Sequence, residues 1–149
     1  MTSKDKAADA SLRRNYGITL EEYEAMLAAQ GGGCAICGSV AKQRRLHTDH
    51  DHKVPKGKIL THKSLTMAVN ACDPWVAEAV VGSKVYSASA GRKHLAIQSL
   101  RKYMKRASVR GILCWPCNRA LRVFCNDPDR LEAAAKYLRE YKEKGNQLG

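Results

Sequence analysis

Two Cys-x-x-Cys pairs, Cys34/Cys37 and Cys114/Cys117, bracket the run Thr48-Asp49-His50-Asp51-His52, and Asn118 follows the second pair directly. Four thiolates are a donor set for tetrahedral zinc, and the Gly38 after the first pair suits the tight turn of a zinc knuckle. The Asp-His run offers hard oxygen donors together with imidazoles, which ionise near neutral pH. Hydrolysis of a phosphodiester needs a base to activate water, a cation to neutralise the crowded phosphate and help for the departing oxygen. In this scheme a histidine of the run is the base, and Asp49 and Asn118 offer oxygens to Mg²⁺. Duller readings exist for each part: two separate redox motifs or free thiols for the cysteines, and a solvated surface loop for the Asp-His run. The 76 residues, 38–113, between the pairs exceed the spacing of an ordinary zinc ribbon.

These residues have to be positioned by elements legible in the pattern. Arg44 to Thr48 predicts a short strand ahead of Asp49. In a regular strand Asp49 and His50 point to opposite faces, so the chain has to bend there if both are to meet one phosphate. His47 shares a face with Asp49 and is either a supporting neighbour or structural. Val109 to Cys114 predicts a second strand, and Trp115 to Phe124 a helix. Asp127-Pro128 opens another helix, with Leu131, Ala134, Ala135, Leu138 and Tyr141 on its apolar stripe, ending near Gly145. Before the first knuckle, Thr19 and Glu22 form a capping box for a helix ended by Gly31-Gly32-Gly33.

The stretch between the two halves, Ile59 to Ser108, predicts a helix begun by Asp73-Pro74 and carrying Trp75, Val76, Ala79 and Val80. A strand over Lys84 to Ser89 and a second helix after Gly91 follow. The latter carries Arg92, Lys93, Arg101, Lys102, Lys105 and Arg106, expected to act, together with Arg110, as a phosphate clamp that positions DNA without reading bases. Its dull counterpart is a solvated helix face. His62 and His94 are expected to be bystanders, and Cys72 and Cys125 ordinary buried thiols.

The 149 residues fit one domain, with residues 1–10 expected as a disordered tail and residues 11–149 as the folded unit. Hydrophobic content is 44%, but one Phe and two Trp make a modest core that a structural metal would staple. Twenty-six Lys/Arg against 14 Asp/Glu leave a net charge of +12, which suits a polyanionic partner, nucleic acid first. The N-terminus has no apolar leader core, and no stretch is long and apolar enough to span a membrane. Cytoplasmic location is therefore expected, where paired cysteines bind metal more often than they form disulfides.

The motifs taken together are specific. Cys34-Ala-Ile-Cys-Gly, Leu46-His-Thr-Asp-His-Asp-His, Val109-Arg-Gly-Ile-Leu-Cys-Trp-Pro-Cys-Asn118, the helix after Asp127-Pro128 and Tyr16-Gly-Ile-Thr-Leu-Glu-Glu-Tyr resemble the recombination endonuclease VII family. These are phage Holliday-junction resolvases of the His-Me finger superfamily. The resemblance spans about residues 14–58 and 108–142. It implies an α+β fold, mainly helical, with a small zinc-stapled ββα-metal core and a basic segment inserted at about 59–108 between the core strands. It implies that Cys34, Cys37, Cys114 and Cys117 hold one structural Zn²⁺, and that Asp49 and Asn118 bind catalytic Mg²⁺, with Mn²⁺ as a substitute. His50 then matches the general base, and His52 a histidine that contacts the scissile phosphate or assists the leaving group. It also implies branched DNA as substrate, an intertwined homodimer and the infected bacterial host as the setting. Two features depart from the pattern: the insertion of about fifty residues, and Leu121 where some relatives have an acid one turn after the Asn. Rivals with the same residues are a sequence-specific HNH-type homing or restriction endonuclease, and a zinc-ribbon DNA-binding protein without catalysis.

Overall fold

The computed structural model describes residues 1–41, 44–63 and 74–145. In chain order the elements are α1 (Ser3–Tyr16), α2 (Leu20–Ala29), β1 (His47–His50), β2 (Ile59–Lys63), β3 (Trp75–Val81), β4 (Lys84–Ala90), α3 (Lys93–Ser108), β5 (Val109–Leu113), α4 (Trp115–Val123) and α5 (Pro128–Gly145). The fold is mixed, with five helices and two small antiparallel sheets among the described residues.

The expected disordered tail is instead most of α1. Thr2 and Asp5 form a reciprocal capping box at its start, which satisfies two of the orphan amide groups. At its end Gly17 adopts φ 72° and passes tightly under α3, where an added Cβ would lie 2.9 Å from the Lys102 carbonyl oxygen. Gly17→Ala is therefore expected to cost about 2 kcal/mol or more, from left-handed strain and overpacking together. A matching fall in the thermal midpoint checks it. The predicted Thr19–Glu22 capping box is present at α2, and Asp9 of α1 accepts the Leu20 amide at 2.8 Å.

These two helices cover the sheet made by β1 and β5. Its core is Ile18, Leu20, Tyr23 and Ile112, flanked by Leu12, Met26, Leu46 and Val109. Tyr23 donates its hydroxyl to the Leu46 carbonyl at 2.9 Å, and Gln30 brackets β5 by bonding both the amide and the carbonyl of Ile112 at 2.9 Å. β1 lies later than predicted and includes Asp49 and His50. The pairing slips there: Asp49 faces Gly111 but His50 faces Val109, so Arg110 is the extra residue of a bulge.

The insertion has its own core. β2, β3 and β4 form an antiparallel meander, and α3 lies across one face. Ala77 and Ala79 of β3 and Tyr86 of β4 meet Ala96, Leu100 and Met104 of α3, with Val54 sealing one side. The helix predicted from Asp73-Pro74 is thus the strand β3, and Asp73 lies outside the described residues. Its apolar residues fit a period of two as well as one of 3.6, and Val76, Val80 and Val81 favour the pleated alternative once β4 can pair. Gly82-Ser83 supplies the two-residue hairpin, with Gly82 at φ 60°. The predicted strand over 84–89 and the helix after Gly91 correspond to β4 and α3.

Candidate functional site

The sulfurs of Cys34, Cys37, Cys114 and Cys117 all lie within 4.8 Å of one another, with Cys37 and Cys114 at 3.6 Å. A tetrahedron of Zn–S bonds near 2.3 Å would set its sulfurs about 3.8 Å apart, so the cluster fits a zinc ion with little adjustment. Burial opposes ionisation of Cys34, but backbone hydrogen bonds from Cys37, Cys114 and Ile36 outweigh it and bring the thiol down to about 6. Burial and the neighbouring sulfurs push Cys117 the other way. Four sulfurs this close resist carrying four negative charges unless a cation sits among them. The cluster joins the loop after α2 to the start of α4, where Cys114 is the N-cap residue and the Asn118 amide donates to the Cys114 carbonyl at 3.0 Å.

Beside this cluster an open cleft of about 720 Å³ is lined by Asp49, His50 and His52 from β1 and its exit, by Arg110 from β5, and by Asn118 from α4. His47 also reaches it. The pairing register shifts between Asp49 and His50 at the Arg110 bulge of β5, and both neighbouring residues border the same space. Asp49 is buried, and Arg110 grips it with two hydrogen bonds, Nε to Oδ2 at 2.8 Å and Nη2 to Oδ1 at 2.9 Å. The same Nη2 donates to the Asn126 side chain at 2.8 Å, tying the turn after α4 to the strands. A bidentate guanidinium pair of this kind fixes a carboxylate in orientation as well as charge. His50 is half-buried, edge-on to Tyr16 with ring centroids 5.2 Å apart and tilted against His52 at 4.3 Å. Burial of the ring, then the charge of His52, hold His50 below the usual imidazole value, which favours the neutral, proton-accepting form.

The oxygens of Asp49 and Asn118 have the chemistry Mg²⁺ selects. Each Asp49 oxygen engaged by Arg110 keeps a second lone pair for a metal. The adjacent guanidinium charge works against a second cation at Asp49.

Half of the six α3 residues expected as a basic clamp have partners within the chain. Arg106 pairs with Glu22, Lys105 donates to the Arg14 carbonyl at the C-terminal end of α1, and Lys93 lies over the Trp75 ring at 5.4 Å. Arg92, Arg101 and Lys102 are exposed, but none of the six residues lines the cleft. Arg110 does line it, though bound to Asp49. His62 and His94 are also outside the cleft. Cys125 is exposed at φ 58° rather than buried, because it belongs to the tight turn between α4 and α5, and Cys72 lies outside the described residues. Sequence reasoning passed over Trp115, Arg119 and Arg122, which line the cleft from α4. Their spacing with Asn118, at i, i+3, i+4 and i+7, was the available signal for one shared helix face.

A family model described as recombination endonuclease VII matches residues 9–140. The chain belongs to the recombination endonuclease VII family. The match runs through the insertion as well as both halves of the endonuclease VII motif set. Among curated proteins, the chain is similar to the Gene 59 protein of Mycobacterium phage D29, 56% identical over 39 residues, which are 26% of this chain and 24% of that protein. It is also similar to the Gene 59 protein of Mycobacterium phage L5, 51% identical over 39 residues with the same coverage. The chain thus spans about a quarter of the length of the curated relatives it matches. No solved structure matches it significantly. No helix among the described residues is long and apolar enough to cross a membrane.

Proposed function

We propose that this chain is a structure-selective DNA endonuclease that hydrolyses phosphodiester bonds in Holliday junctions and other branched DNA, built on a His-Me finger core of β1, β5 and α4. One observation carries the reading: the adjacent pair Asp49 and His50 and the sequence-distant Asn118 border one cleft beside four clustered sulfurs. His50 takes a proton from a water molecule at an imidazole nitrogen. That water attacks phosphorus, the bond to the 3′ oxygen breaks with its electron pair, and the departing oxygen takes a proton from solvent, so the products carry 5′-phosphate and 3′-hydroxyl ends. Mg²⁺ held by Asp49 and Asn118 would supply positive charge against the phosphate and the departing oxygen. Arg110 keeps Asp49 oriented, and His52 faces the phosphate or its leaving group. The proposed setting is the cytoplasm of an infected bacterium.

Cleavage of four-way junctions, forks and matched linear duplex in the presence of Mg²⁺ tests the reading. Preferential nicking of the branched substrates is expected. Site-specific cutting of the linear duplex would make it an HNH-type sequence-specific enzyme instead. Binding with no cutting under either Mg²⁺ or Mn²⁺ would leave only a zinc-stapled DNA-binding protein.

A two-fold homodimer is part of this proposal, because opposed nicks across a symmetric junction need two cleavage centres. Support comes from α5, which makes no substantial packing contact with another element among the described residues. Its Tyr137, Leu138 and Tyr141 are 69%, 59% and 70% exposed. An apolar stripe left in water on so long a helix suits burial against a second copy. Combined Leu138→Asp and Tyr141→Asp substitutions are expected to give a folded monomer by sedimentation. A wild-type chain that is monomeric at every concentration would remove the dimer from the proposal.

A further inference from the structure

α4 presents more to the cleft than Asn118. Trp115, Asn118, Arg119 and Arg122 share one face and all line the same space as Asp49 and His50. Trp115 is 56% exposed, and the Arg119 guanidinium lies 5.1 Å from its ring centroid. Neither Arg119 nor Arg122 pairs with a carboxylate among the described residues, although Glu22, Asp49, Asp127 and Glu140 all engage other cations. The base of this helix is pinned at Cys114 and Cys117, so the ring stands on a fixed platform rather than on a mobile loop. Packing does not account for an indole in that position. A large apolar ring half in water, capped by a guanidinium and flanked by a second free cation, matches the surface that single-stranded nucleic acid uses, with bases on aromatic rings and phosphates on arginines. From Asn118 to Arg122 the rise along the helix axis is about 6 Å, which carries the cationic side chain away from the reacting centre toward a flanking phosphate.

We propose that the Trp115–Arg119–Arg122 face of α4 is a binding site for unpaired DNA beside the cut, with the Trp115 indole stacking an unstacked base and the two arginines holding phosphates of the same strand. Bases are unpaired, or easily unpaired, at the centre of a branch and not along intact duplex, so this site would turn branch shape into affinity without reading sequence. It rests on the endonuclease reading for its DNA partner, but it makes its own claim, about base stacking, which can be measured without cleavage.

Trp75 and Trp115 are the two tryptophans of the chain, so full-length Trp75→Phe protein loaded with zinc reports Trp115 fluorescence alone. Titration with a short single-stranded oligonucleotide, without Mg²⁺, is expected to quench that fluorescence, and titration with blunt duplex to quench it much less. Trp115→Ala is expected to bind the single strand at least about fivefold more weakly, and Trp115→Phe to keep most of the affinity. Arg119→Ala and Arg122→Ala should each lower the salt dependence of single-strand binding by about 0.7 units of slope. Zinc content and thermal midpoint, measured on every variant, identify any that fail to fold, and Trp115→Phe keeps the test valid if Trp115→Ala does not. Unchanged fluorescence, or equal single-strand affinity in wild type and a folded Trp115→Ala, overturns the stacking site. If the wild type still nicks junctions in that case, the endonuclease reading survives. Quenching by an enzyme that cuts nothing supports the stacking site and overturns the catalytic reading.

Discussion

Replacing His50 with alanine is expected to leave a folded, DNA-binding protein whose cutting falls by about 10²–10⁴-fold, the usual contribution of a positioned general base. The fold should tolerate the change. His50 closes no core cluster, and its ring contacts are with Tyr16 and His52 at the border of the cleft. The measurement is a single-turnover nicking rate on a four-way junction, beside junction affinity and thermal midpoint. His52→Ala supplies the contrast, because its ring centroid is only 4.3 Å from that of His50 and it is the nearest substitute base. Undiminished nicking by His50→Ala together with inactive His52→Ala would transfer the base role to His52. Loss of both nicking and folding in His50→Ala would instead make the ring structural.

Stripping metal from the four-cysteine cluster is expected to disable the same cleft from a different direction. The cluster joins positions 34 and 117, so a cross-link there removes unfolded-state entropy on the order of 4 kcal/mol, by analogy with a covalent link over a loop of that length. For a chain of this size that corresponds to a fall of roughly 10–20 °C in thermal midpoint. Cutting should disappear with it, because the first turn of α4 carries Asn118 directly after Cys117. The insertion is expected to outlast the rest, since Leu100, Met104, Ala77 and Tyr86 form a core that includes no cysteine of the cluster. Metal analysis of the purified protein should find one zinc per chain. Chelation should give an early loss of Trp115 signal, with the signal of the insertion lost later, and returned zinc should restore both. A protein that purifies without zinc, and melts at the same temperature with chelator, would leave the cysteines as free thiols. Cys117→Ser gives the same comparison without a chelator, and any Mg²⁺ effect can then be measured apart from zinc.

These two outcomes depend on different parts of the chain, and the parts differ in how far they could be read before folding. That four cysteines would be brought together, and Asp49, His50 and Asn118 to one cleft, was legible because the pattern sits in residue type at short spacing: Cys-x-x-Cys twice, an Asp-His step, an Asn beside the last Cys. The helices α2 and α5 were legible because their caps are local, Thr19 with Glu22 for the first and Asp127 before Pro128 for the second. What could not be read were choices made by contacts far along the chain. Residues Trp75 to Val81 carry a pattern open to either period, and pairing with β4 on one side and β2 on the other decides for strand. The first turn of α1 is capped by Thr2 and Asp5, but the helix is retained because Ala8, Leu12 and Tyr16 pack on the core beneath α2. Two of the α3 charges, Arg106 and Lys105, meet Glu22 and the end of α1, partners that sequence distance conceals.

Residue types and spacing by themselves picked out the four cysteines that cluster, the Asp-His pair and most helix boundaries, because those depend on motifs and caps spanning a few residues. Tertiary structure alone decided that Arg110 holds Asp49, that the register shift at the β5 bulge leaves His50 on the same cleft, and that Trp115, Arg119 and Arg122 border it. The reason is geometric: a side chain's partner across a sheet or from another helix depends on register and packing, which no local pattern encodes.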